Sequence, residues 1–175
     1  RVNVDSDAGA TGESFQVGTN ATNIDGSNIL HKVQDNGAIY QQLAGAGGFQ
    51  TGHISVGHLG NDASGTADIK FFVDFTNTSG TYDTFIIMLY LAHAGNSSPI
   101  ESAVYRVQGY QRLSSLSSLS STLIDGGARP ITLSSSGLTL TITVGSEGSS
   151  TATQGGLCRV VAGRYGFTDL RAGTS

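Results

Sequence analysis

The stretch Thr66-Ala67-Asp68-Ile69-Lys70-Phe71-Phe72-Val73-Asp74-Phe75-Thr76 decides the fold. Ala67, Ile69, Phe71, Val73 and Phe75 are apolar, Asp68, Lys70, Asp74 and Thr76 alternate with them, and Phe72 breaks the pattern. A period of two puts the two sets on opposite faces of an extended chain, so the segment predicts a half-buried strand. The same period governs Leu138, Leu140, Ile142 and Val144 against Thr139, Thr141 and Thr143, with β-branched residues that suit a pleated surface. Tyr82–Ala92 differs in being apolar on both faces: Phe85, Ile87, Leu89 and Leu91 on one, Ile86, Met88, Tyr90 and Ala92 on the other. Such a strand is either central in a sandwich or buried at a subunit interface.

Further strands are expected near Thr51–Val56, Glu101–Tyr110, Ile131–Ser134 and Leu157–Ala162, separated by Gly-rich turns. Seven or so short strands of this kind imply an antiparallel β-sandwich over residues 49–175. One stretch departs from the pattern. In Arg112–Ser121 leucine recurs every third residue among serines, which suits a short helical turn or a packed loop.

Residues 1–48 read differently. Arg1–Val4, Ser14–Val17, Ile29–Gln34 and Ala38–Leu43 are short alternating pieces between turn formers such as Asp25-Gly26 and Asn36-Gly37. Each is too short and too polar to bury itself, so the segment either docks on the head or wraps with identical chains as an interchain β stem. Within it, Ser14-Phe15-Gln16-Val17-Gly18 followed by Ile29-Leu30-His31-Lys32-Val33-Gln34-Asp35-Asn36-Gly37-Ala38-Ile39-Tyr40 resembles a cadence found near the distal, receptor-binding ends of bacteriophage tail fibres and tailspikes. That resemblance implies a homotrimer, a β-sandwich or jelly-roll tip, host adsorption, contact with other tail proteins of the virion and an extracellular location.

Composition narrows the partners. Charged residues are 13% of the chain and glycine fills 25 positions, so the surface is solvated by hydroxyls and amides more than by charge. About a quarter of the residues are Leu, Ile, Val or Phe, enough to form a core and not the composition of a disordered chain. With a net charge of −4 and two lysines, Lys32 and Lys70, no basic stripe exists to neutralise a phosphate backbone, and nucleic acid is excluded as a partner. The longest apolar run, Phe85–Ala92, falls far below the length of about 20 residues of a membrane-spanning helix, so membrane insertion is not expected. Arg1–Asp5 holds neither an initiator Met nor a signal-peptide core, which reads as a processed product or a fragment. Cys158 is the single cysteine; it excludes an intrachain disulfide and is expected to be a buried, inert thiol.

Candidate chemistry is sparse. His53 and His58 lie five residues apart on an expected strand and point to opposite faces, so they do not form one metal site within a chain. Asp5-Ser6-Asp7-Ala8-Gly9 starts like a calcium loop, but Ala10 stands at the turn glycine and Gln16 at the bidentate glutamate. Asp68 and Asp74 share a strand face yet sit about 20 Å apart along it, too far for a glycosidase pair; Asp62, Asp83 or Glu101 remain possible partners through tertiary contact. No Gly-x-Ser-x-Gly elbow is present, and the sequons at Asn20, Asn77 and Asn96 are no more than a Ser/Thr-rich chain produces by chance.

The expectation is therefore a non-enzymatic binding protein without cofactor or metal, recognising a host-surface glycan or surface protein. Aromatic faces with planar hydrogen-bonding side chains hold sugars, and Tyr82, Asn96, Tyr110 and Arg112 stand at expected turns where such groups project. The alternatives are a capsid decoration or spike protein, a bacterial surface adhesin, and a glycan-degrading tailspike enzyme.

Overall fold

The structure, a computed structural model, describes residues 14–18, 29–34, 39–43, 54–78, 80–95, 102–146, 148, 152–162 and 166–174. All regular elements among them are strands: β1 Ser14–Gly18, β2 Ile29–Gln34, β3 Ile39–Leu43, β4 Ile54–Ser64, β5 Ile69–Phe75, β6 Asp83–Gly95, β7 Ala103–Arg112, β8 Ser115–Gly126, β9 Ile131–Ser136, β10 Thr139–Val144, β11 Ala152–Ala162 and β12 Phe167–Thr174. They form two antiparallel sheets, one ordered β1-β2-β3-β4-β11-β6-β7-β8 and the other β12-β5-β10-β9. The protein is all-β, and its two sheets pack as a sandwich.

Both alternating segments behave as their period requires. In β5, Ile69, Phe71, Val73 and Phe75 are buried and Lys70, Phe72 and Asp74 point outward, and β10 buries Leu140, Ile142 and Val144 in register with them. Opposite them the large sheet contributes Phe85, Ile87 and Leu89 from β6, Tyr105 and Val107 from β7, and Cys158 and Val160 from β11. Phe75 stacks on Phe85 across the two layers, with ring centroids 4.3 Å apart. Each fully buried side chain of this size contributes about 1.5–3 kcal/mol of burial free energy. Cys158 is wholly buried, and the loss of water around it pushes its thiol far above the usual cysteine range.

The connections β4–β5 and β10–β11 both pass between sheets while β4 lies beside β11 and β5 beside β10, the wrapped pairing of a jelly roll. After β6 the chain departs from that plan and runs as the meander β6-β7-β8 in one sheet. The meander β1-β2-β3 joins the same sheet through antiparallel pairing of β3 with β4. Arg1–Val4 and the boundary at 48/49 lie outside the described residues.

Two readings need correction. Arg112–Ser121 is neither a helix nor a packed loop: Arg112 ends β7, Leu113 and Ser114 make the turn, and Ser115 begins β8, an edge strand. The leucine period of three arises from a bulge. Gln108 pairs Ser120 and Tyr110 pairs Ser117, so β8 spends one more residue than β7, and Ser118 takes φ 52°. The extra residue returns Leu116 and Leu119 to the same face, where both pack on the core. The second correction is a missing strand, β12. Its register with β5 shifts between Phe167 and Asp169, so the buried Phe167 and Leu170 are three apart and the alternation that marks a strand is lost.

The two-faced apolar segment Tyr82–Ala92 becomes β6, central in the large sheet with β11 and β7 as neighbours. One chain covers one face of it. On the outer face Ile86 is 46% and Tyr90 40% exposed, and the cross-strand partner of Tyr90, Leu157, is 37% exposed. Arg159 and Arg106 flank Met88 in the same lateral row.

Candidate binding site

Three of the four residues singled out from sequence converge at one end of this outer face. The loop from β5 to β6 turns at Thr78–Thr81, closed by the Thr81 N–H donating to the Thr78 carbonyl over 3.1 Å. Gly80 occupies the third position with φ 93°, a left-handed value that glycine adopts without steric cost. The β7–β8 hairpin turn lies against this loop. Its Leu113 N–H donates to the buried Thr78 hydroxyl at 2.9 Å, so a single threonine side chain ties the two turns together.

Arg112, the last residue of β7, reaches back across that junction. Its Nε donates to the Gly80 carbonyl at 3.2 Å and its Nη1 to the Tyr82 hydroxyl at 2.8 Å. The guanidinium carbon stands 4.6 Å from the Tyr82 ring centroid, within cation–π range. Tyr110 meets Tyr82 edge-on, with centroids 5.2 Å apart and planes at 75°, the geometry that aromatic quadrupoles prefer. Tyr82 remains 58% exposed, the most open large apolar side chain among the described residues. The fourth residue, Asn96, lies outside the described residues.

Beneath the cluster the same strands carry a buried polar pair. Gln111 is fully buried and donates from Nε2 to Asp83 Oδ2 at 3.1 Å and to the Gly166 carbonyl at 3.4 Å. Asp83 Oδ1 accepts the Thr84 N–H at 3.1 Å. The acid next to Tyr82 in sequence is thus turned inward, and no carboxylate stands within ion-pair reach of Arg112 among the described residues. Leu113 takes φ 52° and is half exposed beside the cluster. For a residue with a branched side chain this conformation costs about 1–2 kcal/mol.

The other residues weighed for chemistry are dispersed. His58 is half-buried on β4, opposite Arg159 and Ile39, while His53, Asp5–Gly9, Asn20 and Glu101 lie outside the described residues. Asp68 accepts the Ser146 N–H at 2.9 Å, and Asp62 is exposed at the far end of β4. Pairing of β12 with β5 brings Asp169 beside Asp74, a carboxylate pair that sequence reading missed because β12 itself was missed. Arg171 bridges the two, bonding Asp74 and, at 2.7 Å, Asp169. The Asp74 hydrogen bond above all holds its guanidinium above the ordinary arginine value. Asp74 also accepts from the Thr139 hydroxyl at 2.6 Å. These carboxylates take part in a surface ion-pair network. Among the described residues no three His, Cys, Asp or Glu side chains group to hold a metal. No protein-family model, curated protein or solved structure matches the chain.

Proposed function

We propose that this chain is the non-enzymatic, receptor-binding tip of a trimeric phage tail fibre, displayed on the virion and attaching it to a glycan or protein of the host surface. The observation that carries this reading is the convergence of Tyr82 from the β5–β6 loop with Tyr110 and Arg112 from the end of β7 onto one site. Loops held by a rigid sandwich are where recognition is commonly built. Two tyrosines and an arginine supply apolar faces and planar donors at low conformational entropy. Support for assembly comes from the outer face of β6, whose Ile86 and Tyr90 adjoin Leu157 and leave a run of apolar surface open on a single chain.

The test is adsorption of the fluorescently labelled 175-residue protein to a panel of bacterial strains, with Tyr82→Ala and Tyr110→Ala compared on the strains that bind. Folded variants of both kinds are expected to lose most of the adsorption. Unchanged adsorption by both removes this site from the reading, and failure of the wild-type protein to bind any strain removes the reading itself.

A further inference from the structure

Resting on that reading, we infer that the Tyr82–Tyr110–Arg112 site takes an acidic saccharide, with the sugar ring against Tyr82 and its carboxylate or phosphate on Arg112. The chemistry begins with what Arg112 lacks. Arg171 is satisfied by two carboxylates, but Arg112 spends Nε and Nη1 on a carbonyl and a phenol, and its Nη2 has no acceptor among the described residues. A guanidinium fork is built to grip two oxygens of an anion in its own plane. Among the described residues none is supplied.

The side chain is also held in place before any ligand arrives. The Gly80 carbonyl, the Tyr82 hydroxyl and the Tyr82 ring fix it from three directions. A long side chain so restrained loses little further rotamer freedom on binding. Asp83, the acid next to Tyr82 in sequence, faces Gln111 in the interior and does not compensate the cation. Tyr82 stands beside it with an open ring and a hydroxyl, the pairing of apolar face and polar tip that suits the C–H face and hydroxyls of a sugar. Leu113, held in its strained turn, widens the apolar floor next to the loop. A neutral sugar meets the tyrosines and leaves the fork idle; an acidic sugar uses both.

Two anions fit the fork, and matched probes separate them. Binding of the full-length protein is measured by calorimetry against oligogalacturonate and its methyl ester, and against phosphomannan and its dephosphorylated form, with wild-type, Arg112→Gln and Arg112→Lys proteins. Thermal melts accompany each variant to show that it is folded. The wild type is expected to prefer one charged form over its neutral partner by about tenfold or more, the preference falling as salt rises. Arg112→Gln is expected to erase the preference by weakening the charged form more than the neutral one, and Arg112→Lys to keep part of it. A preference confined to the galacturonate pair assigns a carboxylate, and one confined to the phosphomannan pair assigns a phosphate. Equal binding of charged and neutral forms, or no binding of either pair, overturns the inference. Cell adsorption that is lost in Tyr82→Ala but equal to wild type in Arg112→Gln overturns the acidic ligand and leaves the receptor-binding reading standing.

Discussion

Phe71 and Lys70 are neighbours in sequence and opposites in environment, one fully buried in the sandwich and the other on its outer surface. An unpaired carboxylate at Phe71 or at the equally buried Leu140 would cost several kcal/mol, comparable with the whole stability of a domain of about 5–15 kcal/mol. Phe71→Asp and Leu140→Asp are therefore expected to be unfolded by circular dichroism, while Lys70→Ala and Thr141→Ala stay within about 1 kcal/mol of wild type in denaturant titrations. Equal damage on both faces would contradict the assigned orientation. Gly109 adds a subtler case, since a Cβ there would stand 2.8 Å from the Phe85 ring and 2.9 Å from Leu119. Gly109→Ala is expected to destabilise by about 1–3 kcal/mol through overpacking, read as a lower midpoint in the same titration. The inward and outward roles of Phe71 and Leu140 were legible because a period of two records a face directly. Gln111 was not, because its burial rests on Asp83 across the strand pair and Gly166 from a distant loop, and nothing local in sequence marks a buried core amide.

At the scale of elements, both strands that sequence reading lost have a register shift inside the apolar pattern that would have marked them. In β8 the bulge at Ser118 and in β12 the shift after Phe167 turn a period of two into a spacing of three, which mimics a helix in the first and hides the strand in the second. The bulge in β8 also yields a prediction. Ser118 holds a left-handed conformation that glycine adopts at no steric cost and a β-branched residue adopts with difficulty. Ser118→Gly is expected to leave stability unchanged or raise it by up to about 1 kcal/mol, and Ser118→Val to lower it by about 1–2 kcal/mol. If the two variants melt together, the bulge is not where Ser118 places it. Of the candidate residues expected at turns, Tyr82 does lie in a loop, whereas Tyr110 and Arg112 belong to β7, which runs on to Arg112 before turning at Leu113 and Ser114. Their meeting was not legible, since it depends on the Thr78 hydroxyl joining two loops from different parts of the chain.

On the scale of the whole molecule, a sandwich that buries one face of β6 and leaves the other apolar has settled half of what its sequence asks for. Ile86, Tyr90 and Leu157 form neighbouring positions on that outer face, with Met88 and Val161 between and beside them. The proposed homotrimer would answer the remaining half by covering this surface with identical chains, and strands β1–β3, which extend the same sheet beyond β4, would add to the surface available for it. Sedimentation equilibrium of the 175-residue protein is expected to return a trimer. Ile86→Lys combined with Leu157→Lys sets like charges beside Arg159 and Arg106 in the patch, and is expected to shift the protein to monomers that keep a cooperative melt, because both positions lie outside the core. Truncation to a chain starting at Phe49 is expected to weaken the trimer as well, by removing β1–β3. The two variants separate the contributions: a trimer lost on truncation and kept in the lysine variant places assembly in the N-terminal strands, and the reverse places it on the outer face of β6. A wild-type protein that sediments as a stable monomer at all concentrations would falsify the trimer and leave the outer face of β6 as an uncovered apolar surface.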